Sequence, residues 1–220
     1  QLGKNWYLGE TLHSGIGQGY FLTTPLQLCL MTAQLANGGY KINPRLILND
    51  ENNDSSLLSF LKFKKENSYD STSIDDQIKK LNINPLFKNQ ENINFIKDAM
   101  YAATNEPGGT SYGSRLDSKK FRFAGKTGSA QIKRFTEEQR EAETKQSDID
   151  YLDRDHAWFV AFAPYDTPKY AISVLVEHGG SGSSAAAPLA KKVIKKVLER
   201  DKIRKIFNNK KNLDLLGEEA

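Results

Sequence analysis

The sequence contains a single cysteine, Cys29, among its 220 residues, so no disulfide can form within the chain. Cys29 stands between Leu28 and Leu30, which favours a small buried apolar residue. No apolar run approaches the roughly 18 residues that a membrane-spanning helix needs, and no signal peptide opens the sequence. These absences exclude an internal disulfide framework and leave the cellular compartment open.

Basic residues are only slightly in excess over acidic residues. Lysine and arginine number 31 against 27 acidic residues, a net charge of +4. Much of the excess lies near the C-terminus, without the interleaved aromatic or motif residues that nucleic-acid binding would require. We therefore expect a solvated helix face and no nucleic acid. Hydrophobic residues at 38% and charged residues at 26% indicate a globular protein.

The first residue, Gln1, is not an initiator methionine, and we expect the chain to be part of a longer protein. Residues 1–20 are rich in glycine and predict a loop. Thr24 as N-cap, Pro25 and Gln27 then begin a helix, which Gly38-Gly39 ends. Its predicted apolar side is formed by Leu26, Leu30, Ala33 and Leu35 or Ala36.

Two further helices follow from apolar residues at helical spacing. The first covers residues 91–105 and carries Ile93, Ile96, Met100 and Ala103 on one side. The second covers residues 185–204 and carries Leu189, Val193 and Val197, with lysines opposite. A polar excursion at 49–84 and a charged excursion at 133–155 interrupt these elements. The charged excursion contains a predicted surface helix with Thr136 as N-cap and Gln139 completing its capping box.

Three strands are predicted in the second half, at residues 121–132, 156–164 and 170–177. Only the short segment 166–169, rich in turn residues, separates the last two. Because a parallel crossover needs a dozen or more residues, these two strands must be antiparallel. A flexible corner at 179–184 leads into the last helix.

The first of these strands contains Lys126-Thr127-Gly128. Lys126 can attract a substrate carboxylate and keep a neighbouring hydroxyl ready for proton transfer. Thr127 can hydrogen-bond that carboxylate, and Gly128 lets an extended acyl donor lie against the backbone. The backbone N–H of Ser129 can donate to a developing oxyanion. The tripeptide alone fits an ordinary strand with an exposed lysine equally well; its setting favours one wall of a serine acyl-transfer site.

Six segments of the chain resemble class B penicillin-binding proteins, in the order that this family has them. The resemblance extends over nearly the whole chain, and residues 49–84 match only loosely. The segments are Gly15-Ile16-Gly17-Gln18-Gly19-Tyr20, Thr24-Pro25-Leu26-Gln27-Leu28, Ala36-Asn37-Gly38-Gly39, Gly125-Lys126-Thr127-Gly128-Ser129-Ala130-Gln131, His156-Ala157-Trp158-Phe159-Val160-Ala161-Phe162-Ala163-Pro164 and Val176-Glu177-His178-Gly179-Gly180.

The resemblance implies an α+β transpeptidase fold, incomplete here, with an antiparallel sheet packed by helices. Residues 1–207 would be the C-terminal part of the transpeptidase domain and 208–220 a tail. The full protein would be a D,D-transpeptidase that cross-links peptidoglycan stem peptides in cell-wall elongation through a serine acyl-enzyme, without a cofactor or metal. β-Lactams would inhibit it. Its partners would be membrane proteins of the elongation complex, including a glycosyltransferase, and an upstream helix would anchor it in the inner membrane on the periplasmic side.

The family's nucleophile motif, S-x-x-K, precedes an S-x-N or S-x-D motif and then Lys-Thr-Gly. The glycine-rich segment 15–20 would follow the second motif, so both are expected upstream of Gln1. Ser59-Phe60-Leu61-Lys62 and Ser68-Tyr69-Asp70 also match, but nine positions between their serines leave no room for the helical subdomain. We therefore expect the nucleophile outside this chain, and the chain alone to be inactive.

Two alternatives stay open at this point: a serine β-lactamase or D,D-carboxypeptidase relative, and a non-catalytic transpeptidase-like binding domain. An S-x-x-K motif upstream would separate the enzymes from the binding domain. The three histidines, His13, His156 and His178, lack the spacing of a metal site. We expect His156 to be structural, while Glu177 and His178 at a strand end could reach the rim of a cleft.

Overall fold

The computed structural model describes residues 6–45, 85–133 and 148–201. These residues form an α+β structure, as predicted. None of the helices in these three stretches is long and apolar enough to cross a membrane. The helices are α1 (Leu8–Gly15), α2 (Pro25–Ala36), α3 (Gln90–Asn105) and α4 (187–201), and the strands are β1 (Ala124–Ala130), β2 (His156–Ala163) and β3 (Tyr170–Val176).

The three strands form an antiparallel sheet in the order β1-β2-β3. The predicted antiparallel pairing of the last two strands is confirmed, and the N–H of Lys169 closes their turn on the carbonyl of Ala163 at 3.0 Å. β1 begins three residues later than predicted. The turn Lys119–Phe121 is a 3₁₀ helix and takes the place of the expected strand start.

Helix α2 begins as the sequence predicts. The hydroxyl of Thr24 accepts the N–H of Gln27 at 3.2 Å, and the Gln27 side chain accepts the N–H of Thr24 at 2.8 Å. Its predicted apolar side is only partly correct, because Leu26 is exposed while Thr32, Leu35 and Ala36 are buried. The buried residues lie in the C-terminal half of α2, and the helix packs against β2 and β3.

The loop predicted for residues 1–20 is wrong over Leu8–Gly15, which is helix α1. An N-terminal cap stabilises the start of this helix, because the carboxylate of Glu10 accepts the N–H of Tyr7 at 2.7 Å. The loop begins only at the end of α1. Gly17 and Gly19 adopt positive φ there, 76° and 96°, which glycine accommodates without strain.

Helix α3 begins at Gln90, where the side chain of Asn89 accepts the N–H of Glu91 at 2.8 Å. Its buried residues are Ile93, Met100 and Thr104. The predicted apolar side therefore holds for Ile93 and Met100, whereas Ile96 is exposed. Thr104 adds a buried hydroxyl that the apolar pattern did not predict.

Other elements pack against both faces of the sheet. On one side, α4 and the π-helical turn Gly182–Ala186 cover Phe123, Phe159 and their neighbours. On the other, residues of α2 and α3 pack against Phe162. The buried stripe of α4 is Ala187, Ala190, Ile194 and Leu198, and Ala186 of the preceding turn is buried with it. The predicted stripe is wrong, because Leu189 and Val193 are 44% and 49% exposed; small alanines let the helix lie close to the sheet on the neighbouring stripe.

Several sequence predictions fall outside the described residues. These are the whole polar excursion at 49–84 with the serines Ser59 and Ser68, the surface helix at Thr136, and the tail at 208–220. Within the charged excursion, the described part contains a 3₁₀ turn at Tyr151–Asp153.

Candidate active site

Strand β1 is an edge strand of the sheet among the described residues, with β2 on its inner side. Lys126 lies opposite Val160, and Gly128 lies opposite Trp158. Ala124 and Gly125 are buried, whereas Lys126, Gly128 and Ser129 are exposed. The strand thus passes from the core to the surface at Lys126, the first residue of the Lys-Thr-Gly motif.

The backbone of Gly125 shows which groups of β1 point outward. Its N–H donates to the Thr104 hydroxyl at 3.1 Å, and its carbonyl lies 3.4 Å from the same hydroxyl. Helix α3 therefore occupies the outer edge of β1 at Gly125. In an antiparallel strand, the residues whose backbone groups face one neighbour alternate with those facing the other. The N–H and C=O of Thr127 and Ser129 accordingly face the same outer edge as those of Gly125.

Beyond Gly125 this outer edge is open in the sense that no strand among the described residues pairs with it. An extended ligand can pair with the outward groups of Thr127 and Ser129 as an added strand. The predicted oxyanion donor, the N–H of Ser129, is thus directed to the edge where an acyl donor would lie. This orientation follows from the contact of Thr104 with Gly125.

Lys126 and Thr127 form a polar pair at the start of the open edge. The Lys126 ammonium donates to the Thr127 carbonyl at 2.8 Å and lies 3.5 Å from its hydroxyl. Because the Lys126 side chain is exposed, its charge is available to an anion. The Thr127 hydroxyl donates to the hydroxyl of Thr110 at 3.2 Å.

Gly128 has space for a close ligand, since an added Cβ would meet only the Cβ of Trp158 at 3.4 Å. Gly182, in the turn before α4, is different. A Cβ there would lie 2.4 Å from the Trp158 carbonyl oxygen and 2.7 Å from that of Gly128. The turn therefore rests directly on the backbone of β1 and β2 and supports the motif at Gly128.

His156 and His178 lie at the far end of β1, where Ala130 pairs with His156. The Nδ1 of His156 accepts the backbone N–H of His178 at 3.0 Å, a structural role such as the sequence predicts. His178 adopts a positive φ of 53°. The following segment approaches the motif strand, because the Ser129 hydroxyl lies 3.5 Å from the Gly180 carbonyl. Across the described stretches, no group of three or more His, Cys, Asp or Glu residues could hold a metal.

Three residues of this site were not singled out by the sequence analysis: Thr104, Thr110 and Ser111. Thr104 and Ser111 are buried, and their hydroxyls lie 3.2 Å apart. Their chain separation from Lys126 is too large for any local pattern to reveal the contact. The sequence contains one indication of this contact, the segment Gly108-Gly109-Thr110. Its two glycines allow the backbone to pass close to the end of a helix.

The site as described offers a cation, two adjacent hydroxyls and an outward backbone amide along one strand edge. These groups can bind an extended acyl donor with a carboxylate and stabilise an oxyanion. The serines of the two alternative motifs, Ser59 and Ser68, lie outside the described residues. The chemistry that the edge can support is therefore binding and charge stabilisation.

Residues 1–195 match the family described as the penicillin binding protein transpeptidase domain. The peptidoglycan D,D-transpeptidase MrdA of Salmonella typhimurium is 32% identical over 191 residues, covering 87% of this chain and 27% of that protein. A penicillin-binding protein (PBP2) from Helicobacter pylori, solved in complex with MreC, has a TM-score of 0.64 at 30% identity, covering 90% of this chain and 29% of that one.

Pseudomonas aeruginosa PBP2, solved in complex with WCK 5153, has a TM-score of 0.57 at 31% identity, and 87% of this chain corresponds to 33% of that structure. The chain thus spans between a quarter and a third of the length of these relatives. The family match covers most of the chain and includes the strand with Lys126-Thr127-Gly128. This chain belongs to the penicillin-binding protein transpeptidase domain family.

Proposed function

We propose that the full-length protein is a peptidoglycan D,D-transpeptidase of cell-wall elongation, and that this chain supplies one wall of its active site. The observation that carries the proposal is the open outer edge of β1. There Lys126, Thr127 and the Ser129 N–H come together on one strand edge. The sequence similarity to D,D-transpeptidases supports the same function.

In this mechanism the stem peptide lies along β1 as an added strand. A serine outside this chain attacks the carbonyl carbon of the D-Ala-D-Ala bond, and its proton passes to a nearby base. The carbonyl oxygen becomes an oxyanion, which accepts the N–H of Ser129. D-Alanine leaves with a proton on its amine, and an amine of a second stem peptide then attacks the acyl-enzyme and releases the serine.

Lys126 and Thr127 bind the terminal carboxylate of the donor peptide. The ammonium of Lys126 supplies charge, and the Thr127 hydroxyl supplies a directed hydrogen bond, which is stronger when its acceptor is ionised. The absence of a side chain at Gly128 allows the peptide to approach the strand. β-Lactams bind the same edge and acylate the same serine.

The proposal also includes the cellular location of the protein and its partners. The domain would lie on the periplasmic side of the inner membrane, held by an anchor in another part of the protein. Its partners would be membrane proteins of the elongation complex, including a glycosyltransferase. The Helicobacter pylori relative was solved with MreC, which supports an assembly of this kind.

Labelled penicillin tests the proposal. The full-length protein is expected to form a stable covalent adduct on a serine outside residues 1–220, while this chain alone forms none. Intact mass and peptide mapping identify the modified residue. An adduct on Ser59 would contradict the exclusion of that serine, and rapid turnover of the penicillin without a persistent adduct would favour a β-lactamase. Absence of any reaction by the full-length protein would favour a binding domain.

A further inference from the structure

The hydroxyl of Thr127 has a hydrogen-bond partner outside the motif, the hydroxyl of Thr110. The two oxygens are 3.2 Å apart, and Thr127 donates to Thr110. Thr110 is exposed, and because it accepts from Thr127 its own proton is free to point toward a ligand. The site therefore holds two hydroxyls side by side where the sequence motif provides one.

Both neighbours of Thr110 are fixed against helix α3. A Cβ on Gly109 would lie 2.5 Å from the Ala103 carbonyl oxygen, so the backbone packs directly on the helix end. The buried Ser111 hydroxyl donates to the Ala103 carbonyl at 3.0 Å, and its N–H donates to the same carbonyl at 2.9 Å. The backbone of Thr110, which lies between these two anchored residues, is therefore held in place.

The same anchor also fixes strand β1. Thr104 lies 3.2 Å from the Ser111 hydroxyl and accepts the Gly125 N–H at 3.1 Å. One buried hydroxyl pair thus joins the segment of Thr110 to the strand of Thr127. The separation of the two backbones that carry the Thr110 and Thr127 hydroxyls is consequently set by buried contacts of the fold.

We propose that Thr110 is a further substrate-binding residue, whose hydroxyl donates to one oxygen of the substrate's terminal carboxylate while Thr127 donates to the other. This inference rests on the proposed function, and it assigns Thr104 and Ser111 the role of positioning residues. On binding, Thr127 redirects its proton from Thr110 to the carboxylate. Two hydroxyl oxygens 3.2 Å apart match the two oxygens of a carboxylate, and Lys126 neutralises its charge.

The test compares acylation of the full-length protein by a penicillin and by the methyl ester of its carboxylate. In Thr110→Val the rate constant for acylation by the penicillin at limiting concentration is expected to fall about tenfold, because a hydrogen bond to a charged group is lost. Acylation by the ester is expected to change less than about twofold, since the ester lacks the charge that strengthens this bond. Thr110→Ser keeps the hydroxyl and is expected to retain the rate with the penicillin.

Thr167→Val is the matched control, because Thr167 is exposed in the turn between β2 and β3, and it is expected to leave both rates unchanged. An equal fall for penicillin and ester in Thr110→Val would indicate a structural role and overturn the inference, as would no fall at all. Loss of the rate in Thr110→Ser would overturn it too. If the unchanged protein is not acylated, the proposed function fails and this inference fails with it.

Discussion

At the scale of single residues, polar side chains decide how helix α3 meets the sheet. Thr104 is fully buried and reaches Gly125 and Ser111 with one oxygen. Asn105, the next residue, donates to the carbonyls of Tyr101 and Phe123 at 3.0 and 2.9 Å. Thr104 is buried and Asn105 half-buried, and polar groups shielded from water are costly when unpaired, so these contacts favour one position of the helix along β1.

Tyr165 makes a further polar contact, between the turn after β2 and helix α3. Its hydroxyl donates to the carboxylate of Asp98, and this hydrogen bond, with burial as a smaller cause, raises the pKa of Tyr165 to about 12 from its ordinary 10.0. A raised pKa means that the folded state holds the proton more tightly. The stability from this contact is therefore complete below pH 10 and is lost as the pH rises through 12.

Ultraviolet absorbance of tyrosinate measures this effect. Tyr165→Phe is expected to remove one tyrosine that titrates near 12. Asp98→Asn is expected to lower the pKa of Tyr165 toward its ordinary value, because the charged acceptor is gone. Removal of a tyrosine that titrates near 10 in Tyr165→Phe would contradict the assignment.

At the scale of elements, the outcome of each prediction depends on whether its signal is local. The cap of α2 and the antiparallel turn between β2 and β3 are encoded within a few residues, at Thr24 to Gln27 and around Lys169, and both were predicted. Helix α1 was missed because glycines outweighed the cap at Glu10. The motif Lys126-Thr127-Gly128 was found locally, whereas its contact Thr110 depends on packing between distant segments.

Helix α4 gives the clearest reason for a wrong prediction. Leu189, Val193 and Val197 repeat at the same spacing as Ala190, Ile194 and Leu198, one residue apart. Periodicity predicts that a stripe is buried, but it does not choose between two adjacent stripes. The choice is made by the sheet, which contacts the stripe that begins with small alanines.

A pair of substitutions in α4 tests this choice. Ile194 is 4% exposed, and Val193 beside it is 49% exposed. Ile194→Ala is expected to lower the free energy of unfolding by about 2–5 kcal/mol because it leaves a cavity against the sheet. Val193→Ala is expected to change it by no more than about 0.5 kcal/mol. Urea denaturation of both variants measures the difference, and a larger loss at Val193 would show that the other stripe is buried.

At the scale of the whole molecule, exposed apolar side chains are concentrated on the N-terminal elements. An N-terminal apolar face, comprising Leu8, Leu12, Ile16, Phe21 and Leu22, has exposed fractions from 66% to 95%. The ring of Phe21 meets Trp6 edge-on at 6.4 Å between centroids, which joins the start of α1 to the loop after it. We expect a group of exposed apolar side chains of this kind to contact another part of the protein or a partner.

This face predicts how the chain behaves in isolation. A solution of the 220-residue chain is expected to bind an apolar fluorescent dye and to self-associate. Ile16→Asp combined with Leu22→Asp is expected to reduce both, because the face then carries charge. Leu152→Asp is the matched control, since Leu152 is 71% exposed elsewhere in the chain. Equal dye fluorescence in the double variant and the unchanged chain would exclude the N-terminal apolar face as the binding surface.

The open outer edge of β1 also bears on solubility. An unpaired strand edge that accepts an extended peptide can equally accept the same strand of a second copy, which is a common start of aggregation. Here α3 blocks the edge at Gly125 through Thr104, and Lys126 places a charge where the edge opens. Only a few residues are left to pair, enough to hold a short peptide but too few to nucleate a stable intermolecular sheet.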